Sequence, residues 1–102
     1  MASITLLYPS GHDFDLKYYL STHMPIVETQ WKSDGLRSWE ITQFEPGLPY
    51  QIQAVLKFDT LAEWEAASTG KNAPPVFDDI PKFTTAQPVV LKGSHKAFQK
   101  VA

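Results

Sequence analysis

The sequence of 102 residues contains no cysteine. This absence excludes disulfide bonds, thiolate metal sites and a cysteine nucleophile. The 9 basic and 11 acidic residues give a net charge of −2, and they are scattered without a basic stripe, so we do not expect a nucleic acid as a partner. No apolar run is long enough to span a bilayer, and no basic segment followed by an apolar core opens the sequence. We therefore expect a soluble, cytoplasmic protein without a membrane partner.

Metal-binding and phosphate-binding patterns are also missing. The three histidines, His12, His23 and His95, lie far apart and show no spacing such as His-x-x-x-His, so we expect no metal site. Only one glycine follows the first predicted strand, and a glycine-rich phosphate loop is therefore lacking. We expect no cofactor, which counts against hydride transfer because that chemistry needs one.

The sequence does contain enough apolar residues for a core, with 43% hydrophobic and 13% aromatic residues. Alternating and β-branched stretches predict strands, and 3.6-residue periodicity predicts helices. The predicted strands are 3–8, 36–44, 50–58 and 87–92, and 3–8 is expected to be central because it is apolar on both faces. The first predicted helix begins at 16 and ends between 29 and 32, and the second covers 61–68. This β-α-β-β-α-β order predicts a ferredoxin-like α+β fold, with a four-stranded antiparallel sheet and two helices on one face. We expect one domain, 1–102, in which 94–102 form a polar tail with Phe98 as its only large apolar anchor.

The stretch from Phe14 to Pro25 predicts an amphipathic helix that Asp15 caps. Its expected buried stripe places His23 where an aliphatic residue would be usual, and Pro25 is expected to kink the helix beside it. This geometry could hold an imidazole over a cavity. The alternative is a buried histidine that is bonded to a backbone carbonyl or a tyrosine. The expected stripe consists of Leu16, Tyr19, Leu20, His23, Val27 and either Gln30 or Trp31.

The other face of the predicted sheet has no helix to cover it. On the third strand this face carries Gln51, Gln53, Val55 and Lys57. A half-apolar, uncovered sheet face usually meets a partner. Two such sheets packed face to face would give a symmetric homodimer.

The sequence resembles the EthD family of dimeric α/β-barrel proteins over nearly its whole length. The segments that carry this resemblance are Leu7-Tyr8-Pro9, Phe14-Asp15, Tyr18-Tyr19, His23-Met24-Pro25-Ile26-Val27, Leu56-Lys57-Phe58-Asp59, Asp79-Ile80-Pro81-Lys82-Phe83-Thr84 and Pro88-Val89-Val90. The resemblance implies a ferredoxin-like protomer, a homodimer whose sheets close a barrel, and a pocket in each protomer between the sheet and the helices. Related barrels include lactone isomerases, cofactor-free monooxygenases and polyketide cyclases. A cysteine mechanism proposed for the lactone isomerases does not transfer, because this chain has no cysteine.

The candidate catalytic residues are His23, Tyr19 and Asp79. Tyr19 and His23 are four residues apart and share one helix face, so the imidazole could move a proton while the phenol donates to a developing enolate. Asp79 could orient His23, or it could cap the short turn at 76–80. Either member of the Tyr19–His23 pair could instead be a core residue.

Four aromatic residues are candidates for lining a small-molecule cavity. They are Tyr8, Trp31, Trp39 and Phe83. The alternative for each is a purely structural place in the core, where most aromatic residues of a small domain lie.

Three functional interpretations follow. The first is cofactor-free acid–base chemistry, such as cyclisation, isomerisation, dehydration or decarboxylation, on an aromatic or polyketide-like molecule. The second is a non-catalytic accessory protein that carries a metabolite for an oxygenase. The third is oxidation by molecular oxygen without a cofactor. The sequence alone does not separate these alternatives.

Overall fold

The computed structural model describes all 102 residues, and its elements follow the predicted order. The strands are β1 (Ala2–Pro9), β2 (Leu36–Gln43), β3 (Tyr50–Phe58) and β4 (Val89–Ser94). The first helical region consists of α1 (Leu16–Tyr18), a π-helical turn (Tyr19–His23) and α2 (Met24–Trp31). The remaining helices are α3 (Leu61–Thr69), α4 (Pro74–Phe77) and a 3₁₀ turn (Ile80–Lys82).

The four strands form one antiparallel sheet in the order β2-β3-β1-β4. Alternate residues of β1 and β3 are buried, because one sheet face packs against the helices while the other does not. The core joins the buried sheet face to side chains from the first helical region and from α3. The predicted ferredoxin-like fold and the interior position of β1 are confirmed.

The pairing of β2 differs from the strict alternation that the sequence predicted. The register shifts between Leu36 and Ser38. Leu36 pairs with Phe58 and Trp39 pairs with Leu56, so both β2 residues face the helices although they are three positions apart. A β-bulge adds one residue to one strand, and it thereby moves the following side chains to the opposite face.

The buried stripe of the first helical region also differs from the prediction at one position. Leu20 is 42% exposed, whereas Met24 is 1% exposed and takes the expected core position. The backbone N–H of Met24 bonds to the carbonyl of Tyr19, five residues earlier. A π-helical turn contains one more residue than an α-helical turn, so the helical phase assumed for Leu20 is wrong.

This difference predicts the outcome of two alanine substitutions. Met24→Ala should lower the free energy of unfolding by roughly 2–5 kcal/mol, because it leaves a cavity in the core. Leu20→Ala should change it by less than about 0.5 kcal/mol, as is usual at the surface. Urea denaturation of both variants measures the difference. A loss at Leu20 that matched the loss at Met24 would contradict the π-helical phase.

The C-terminal segment 95–102 has no regular secondary structure, and it is exposed throughout. Phe98 was predicted to anchor it, but this side chain is 87% exposed and anchors nothing within the protomer. None of the helices has both the length and the apolar character that a bilayer crossing would require.

The sheet face away from the helices carries a partly exposed apolar patch. In the register of the sheet, Thr5 lies between Val55 and Leu91, and Leu7 lies beside Val89. Val89 and Leu91 are 39% and 53% exposed. We refer to these five residues as the open-face patch. It occupies the face on which the sequence analysis placed an interface.

Candidate functional site

The structure places His23 and Asp79 in direct contact, although they are 56 residues apart in sequence. His23 ends the π-helical turn, and Asp79 lies between α4 and the 3₁₀ turn. His23 Nδ1 is 2.9 Å from Asp79 Oδ2, and the two residues are only 3% and 5% exposed. Two of the three candidate catalytic residues therefore form a buried hydrogen-bonded pair.

Tyr18, which was not among the predicted site residues, also contacts this pair. The hydroxyl of Tyr18 donates a hydrogen bond to Asp79 Oδ1 at 2.8 Å. Tyr18 is five residues before His23, and in a regular α-helix these positions point in different directions. The π-helical turn between them lets both side chains reach one carboxylate. Pro25, which lacks the N–H that a regular helix would need, was the feature that could have indicated this turn.

The burial of the pair determines its protonation. Burial lowers the pKa of His23 below its ordinary value of 6.5, although the contact with Asp79 opposes this shift. Burial alone would raise the pKa of Asp79, but hydrogen bonds from His23 and Tyr18 hold that pKa below 3.8. At neutral pH the carboxylate is therefore ionised and the imidazole neutral. Nδ1 must carry the proton to donate to Asp79, so Nε2 keeps its lone pair.

His23 lines a small cavity between the sheet and the helices. The cavity has room for about 20 Å³ of water-sized space, which is about one water molecule. Aliphatic and aromatic side chains surround it, and the ionisable residues in its lining are His23, Tyr8 and Tyr19. His23 Nε2 has no hydrogen-bond partner in the protein, since the one bond of this side chain uses Nδ1. His23 therefore brings an imidazole with one unprotonated nitrogen to the lining of an apolar cavity.

A wider groove lies next to this cavity. Its volume is about 680 Å³, and it runs between the 84–88 segment, the 3₁₀ turn and the exposed side chain of Val90. Leu6, Phe77 and Ile80 line both the groove and the cavity. Phe77 is partly exposed, so its side chain and that of Ile80 separate the inner cavity from solvent.

Three of the predicted aromatic residues surround His23. The ring of Tyr19 stacks on the imidazole at 5.3 Å, and the ring of Phe83 lies 4.6 Å from it. Tyr8 lies 6.0 Å from Tyr19. Burial raises the pKa of both phenols above the ordinary value of 10.0, because it disfavours the phenolate. Both hydroxyls therefore remain protonated at neutral pH. Phe83 contacts His23 without lining the cavity.

The two candidate tryptophans have separate locations. Trp31 lines the same cavity as His23, and it is 1% exposed. Trp39 lies on β2 outside this cavity, where its Nε1 donates to Glu28 Oε1 at 3.2 Å. The structure therefore brings every candidate residue except Trp39 to the neighbourhood of His23. No three His, Asp or Glu side chains lie together in a way that could hold a metal ion.

The lowered pKa values predict how stability depends on pH. The stability that neutral His23 contributes is fully present above pH 6.5, and it is lost as the pH falls below that value. The reason is that the pKa of His23 is lower in the folded protein than in the unfolded chain, so the unfolded chain binds a proton at a higher pH than the folded protein does. The contribution of ionised Asp79 is present above pH 3.8 and is lost below it. We expect the free energy of unfolding to fall between pH 7.5 and 5 in the wild type and to fall less in His23→Gln. Urea denaturation across this range measures both, and equal slopes would contradict the assigned protonation.

Comparisons with solved structures show which proteins share this fold. An EthD-like protein from Ralstonia eutropha JMP134 matches with a TM-score of 0.78 and 21% identity, covering 90% of this chain and 88% of that chain. An ethyl tert-butyl ether d (EthD) family protein from Bacillus halodurans C-125 matches with a TM-score of 0.74 and 19% identity, covering 94% and 99%. A protein from an uncultured marine organism, described as dimeric and ferredoxin-like, matches with a TM-score of 0.69 and 13% identity, covering 98% and 100%.

No model of a known protein family matches the sequence, and no curated protein does. The structural likeness therefore establishes the fold. This chain has the fold of EthD-like proteins, and the predicted resemblance is confirmed at that level.

Proposed function

We propose that this protein is an EthD-family member that binds a small, largely apolar molecule and transfers a proton on it without a cofactor. The observation that supports this most directly is the hydrogen-bonded chain Tyr18–Asp79–His23, whose last member lines an apolar cavity and has no hydrogen-bond partner at Nε2. A buried carboxylate holds one ring nitrogen of His23, and the other nitrogen has no hydrogen-bond partner in the protein.

His23 acts as the general base in this proposal. Nε2 removes a proton from a carbon next to a carbonyl group, and the positive charge that forms on the imidazole is stabilised by Asp79. The protonated hydroxyl of Tyr19 or Tyr8 donates a hydrogen bond to the developing enolate oxygen. Returning the proton at another carbon gives isomerisation, and attack of the enolate on a second carbonyl gives aldol cyclisation. Aromatic and polyketide-like molecules combine such carbonyls with a largely apolar body.

The ligand reaches His23 from the groove. The inner cavity holds about one water molecule, whereas the adjoining groove has about 680 Å³, which is a size suited to a metabolite. The side chains of Phe77 and Ile80 stand between the two spaces. Their displacement joins the groove to the cavity, so that one ligand occupies both.

The functional unit in this proposal is a homodimer formed through the open-face patch. The patch is apolar, and the helices of the protomer do not cover it. Structural neighbours that share the fold include a protein described as dimeric. Two sheets that pack face to face would remove both patches from water.

The experiment that tests the chemistry uses 2-tetralone, an apolar bicyclic ketone with exchangeable C–H groups beside its carbonyl. Deuterium incorporation from heavy water is followed by NMR with and without the protein. Catalysed exchange above the buffer rate supports proton transfer. Binding of 2-tetralone without faster exchange supports the carrier interpretation and overturns the catalytic one.

A further inference from the structure

The indole nitrogen of Trp31 is a buried donor without an acceptor. Among the buried side-chain nitrogen and oxygen atoms, Trp31 Nε1 is the one that has no hydrogen-bond partner. An indole N–H can only donate, and a buried donor without an acceptor is costly and therefore rare in native proteins. Its presence calls for a partner that the protein itself does not supply.

The protein surroundings of Trp31 offer no acceptor. Its ring packs against Phe58, Trp64 and Phe77, with ring centroids 6.4, 5.5 and 5.7 Å away. The phenylalanines have no polar side-chain atom, and the tryptophan has only a donor. Trp31 also lines the cavity that contains His23. Phe77, which packs against Trp31, also separates this cavity from the groove, so an acceptor can approach Trp31 from there when Phe77 is displaced.

We propose that Trp31 Nε1 donates a hydrogen bond to an acceptor oxygen on the ligand whose reacting end lies at His23. This inference rests on the proposed function, and it narrows the ligand to a neutral, apolar molecule with a carbonyl or ether oxygen remote from the reacting carbon. It makes Trp31 a residue that determines ligand specificity and orientation.

The charge of the surroundings supports a neutral acceptor. No lysine or arginine lines the cavity, and the buried carboxylate of Asp79 lies 2.9 Å from the ring of His23, which does line it. A ligand carboxylate would enter an apolar space next to a like charge, which is unfavourable. A ketone, quinone, ester or ether oxygen accepts a hydrogen bond without this cost.

The spacing of the two residues sets a minimum length for the ligand. Trp31 is eight residues after His23, and α2 is a regular α-helix over Met24–Trp31. A rise of 1.5 Å per residue places the two positions about 12 Å apart along the helix axis. A ligand that engages both side chains is therefore longer than a single ring, and it fits only when displacement of Phe77 and Ile80 joins the cavity to the groove.

The test compares two ligands that differ only at the remote position. The ligand 6-methoxy-2-tetralone carries an ether oxygen at the end far from its ketone, and 6-ethyl-2-tetralone replaces that oxygen with CH₂. Dissociation constants are measured by titration for the wild type, for Trp31→Phe and for Trp39→Phe, which removes a tryptophan outside the cavity. We expect Trp31→Phe to shift the preference for the methoxy ligand over the ethyl ligand by roughly 2- to 12-fold, the range for one hydrogen bond. Trp39→Phe should leave the preference unchanged.

A second measurement on the wild type does not depend on the folding of a variant. The indole N–H resonances are observed by heteronuclear NMR and assigned with the two variants. Binding of the methoxy ligand should move the Trp31 resonance downfield, whereas the ethyl ligand should not. An unchanged preference in a folded Trp31→Phe variant, an unmoved Trp31 resonance, or no binding of either ligand would each overturn the inference. The proposed chemistry fails separately, since it is judged by deuterium exchange and not by this preference.

Discussion

His23→Gln should lower the rate of deuterium exchange into 2-tetralone by roughly 10²–10⁴-fold, the range for loss of one general base. Glutamine has no group that accepts a proton near neutral pH, so the catalytic step is lost. Its amide can still donate to Asp79 Oδ2 in place of the imidazole Nδ1–H. The measurement is the initial rate of exchange, followed by NMR and divided by the concentration of folded protein.

Glutamine is preferable to alanine because His23 also contributes to packing. The imidazole lies between Tyr19 and Phe83, with centroid distances of 5.3 and 4.6 Å. In the structure, His23→Ala would open a cavity and leave a buried carboxylate without a donor. Its loss of activity could then not be separated from a loss of fold.

The matched control is His12→Gln, which makes the same chemical change at an exposed histidine that is bonded to Thr85. This variant should exchange deuterium at the wild-type rate. If a folded His23→Gln protein also kept that rate, the assignment of His23 as the base would be wrong. If neither the wild type nor His23→Gln exceeded the buffer rate while both bound the ketone, the carrier interpretation would stand.

Val55→Lys should convert a homodimer into a monomer at micromolar concentration. Val55 is the β3 residue of the open-face patch, and it pairs with Thr5 on β1 and with Glu40 on β2. In an interface of about 2,000 Å² in total, a lysine at this position would bury a charge in an apolar contact, which is unfavourable. In the monomer the same lysine lies beside Glu40, an opposite-charge pair that a sheet accommodates. Light scattering should therefore change from twice the monomer mass of 11.5 kDa to that mass.

Ala62→Lys makes the same change in charge on the exposed side of α3 and should leave the dimer intact. Circular dichroism establishes that both variants are folded. A wild-type protein that scatters as an 11.5 kDa particle would remove the proposed dimer altogether. A Val55→Lys variant that remained dimeric would place the interface elsewhere on the molecule.

Local patterns in the sequence were sufficient for the order and type of the main elements. Alternation over 50–58 predicted β3 with its bounds, and the interior place of β1 followed from apolar residues on both of its faces. These predictions succeed because side-chain period and β propensity act over a few neighbouring residues. The exclusion of thiol chemistry likewise needed only the composition.

The candidate site was predictable in part. His23 and Asp79 were both selected, and Tyr19 was placed beside His23, because they are polar or aromatic residues in an apolar helix and a proline-bounded loop. Tyr18 received no role, since an α-helical period directs it away from His23. Leu20 was assigned to the core for the same reason. The π-helical turn changes the direction of both side chains, because it contains one residue more than the regular helical period allows for.

The sequence by itself determined that an imidazole would face the interior of a small α+β domain. Only the tertiary structure decided what that imidazole meets: a carboxylate 56 residues away, a stacked tyrosine and a cavity that extends to Trp31. It also decided that Trp31 lines the cavity and that Trp39 lies outside it, whereas the sequence offered no reason to prefer one of these tryptophans as a cavity residue. The physical reason is that periodicity is a local property, whereas hydrogen-bond partners and cavities arise where distant segments pack, and a single bulge or π-helical turn changes which side chains meet there.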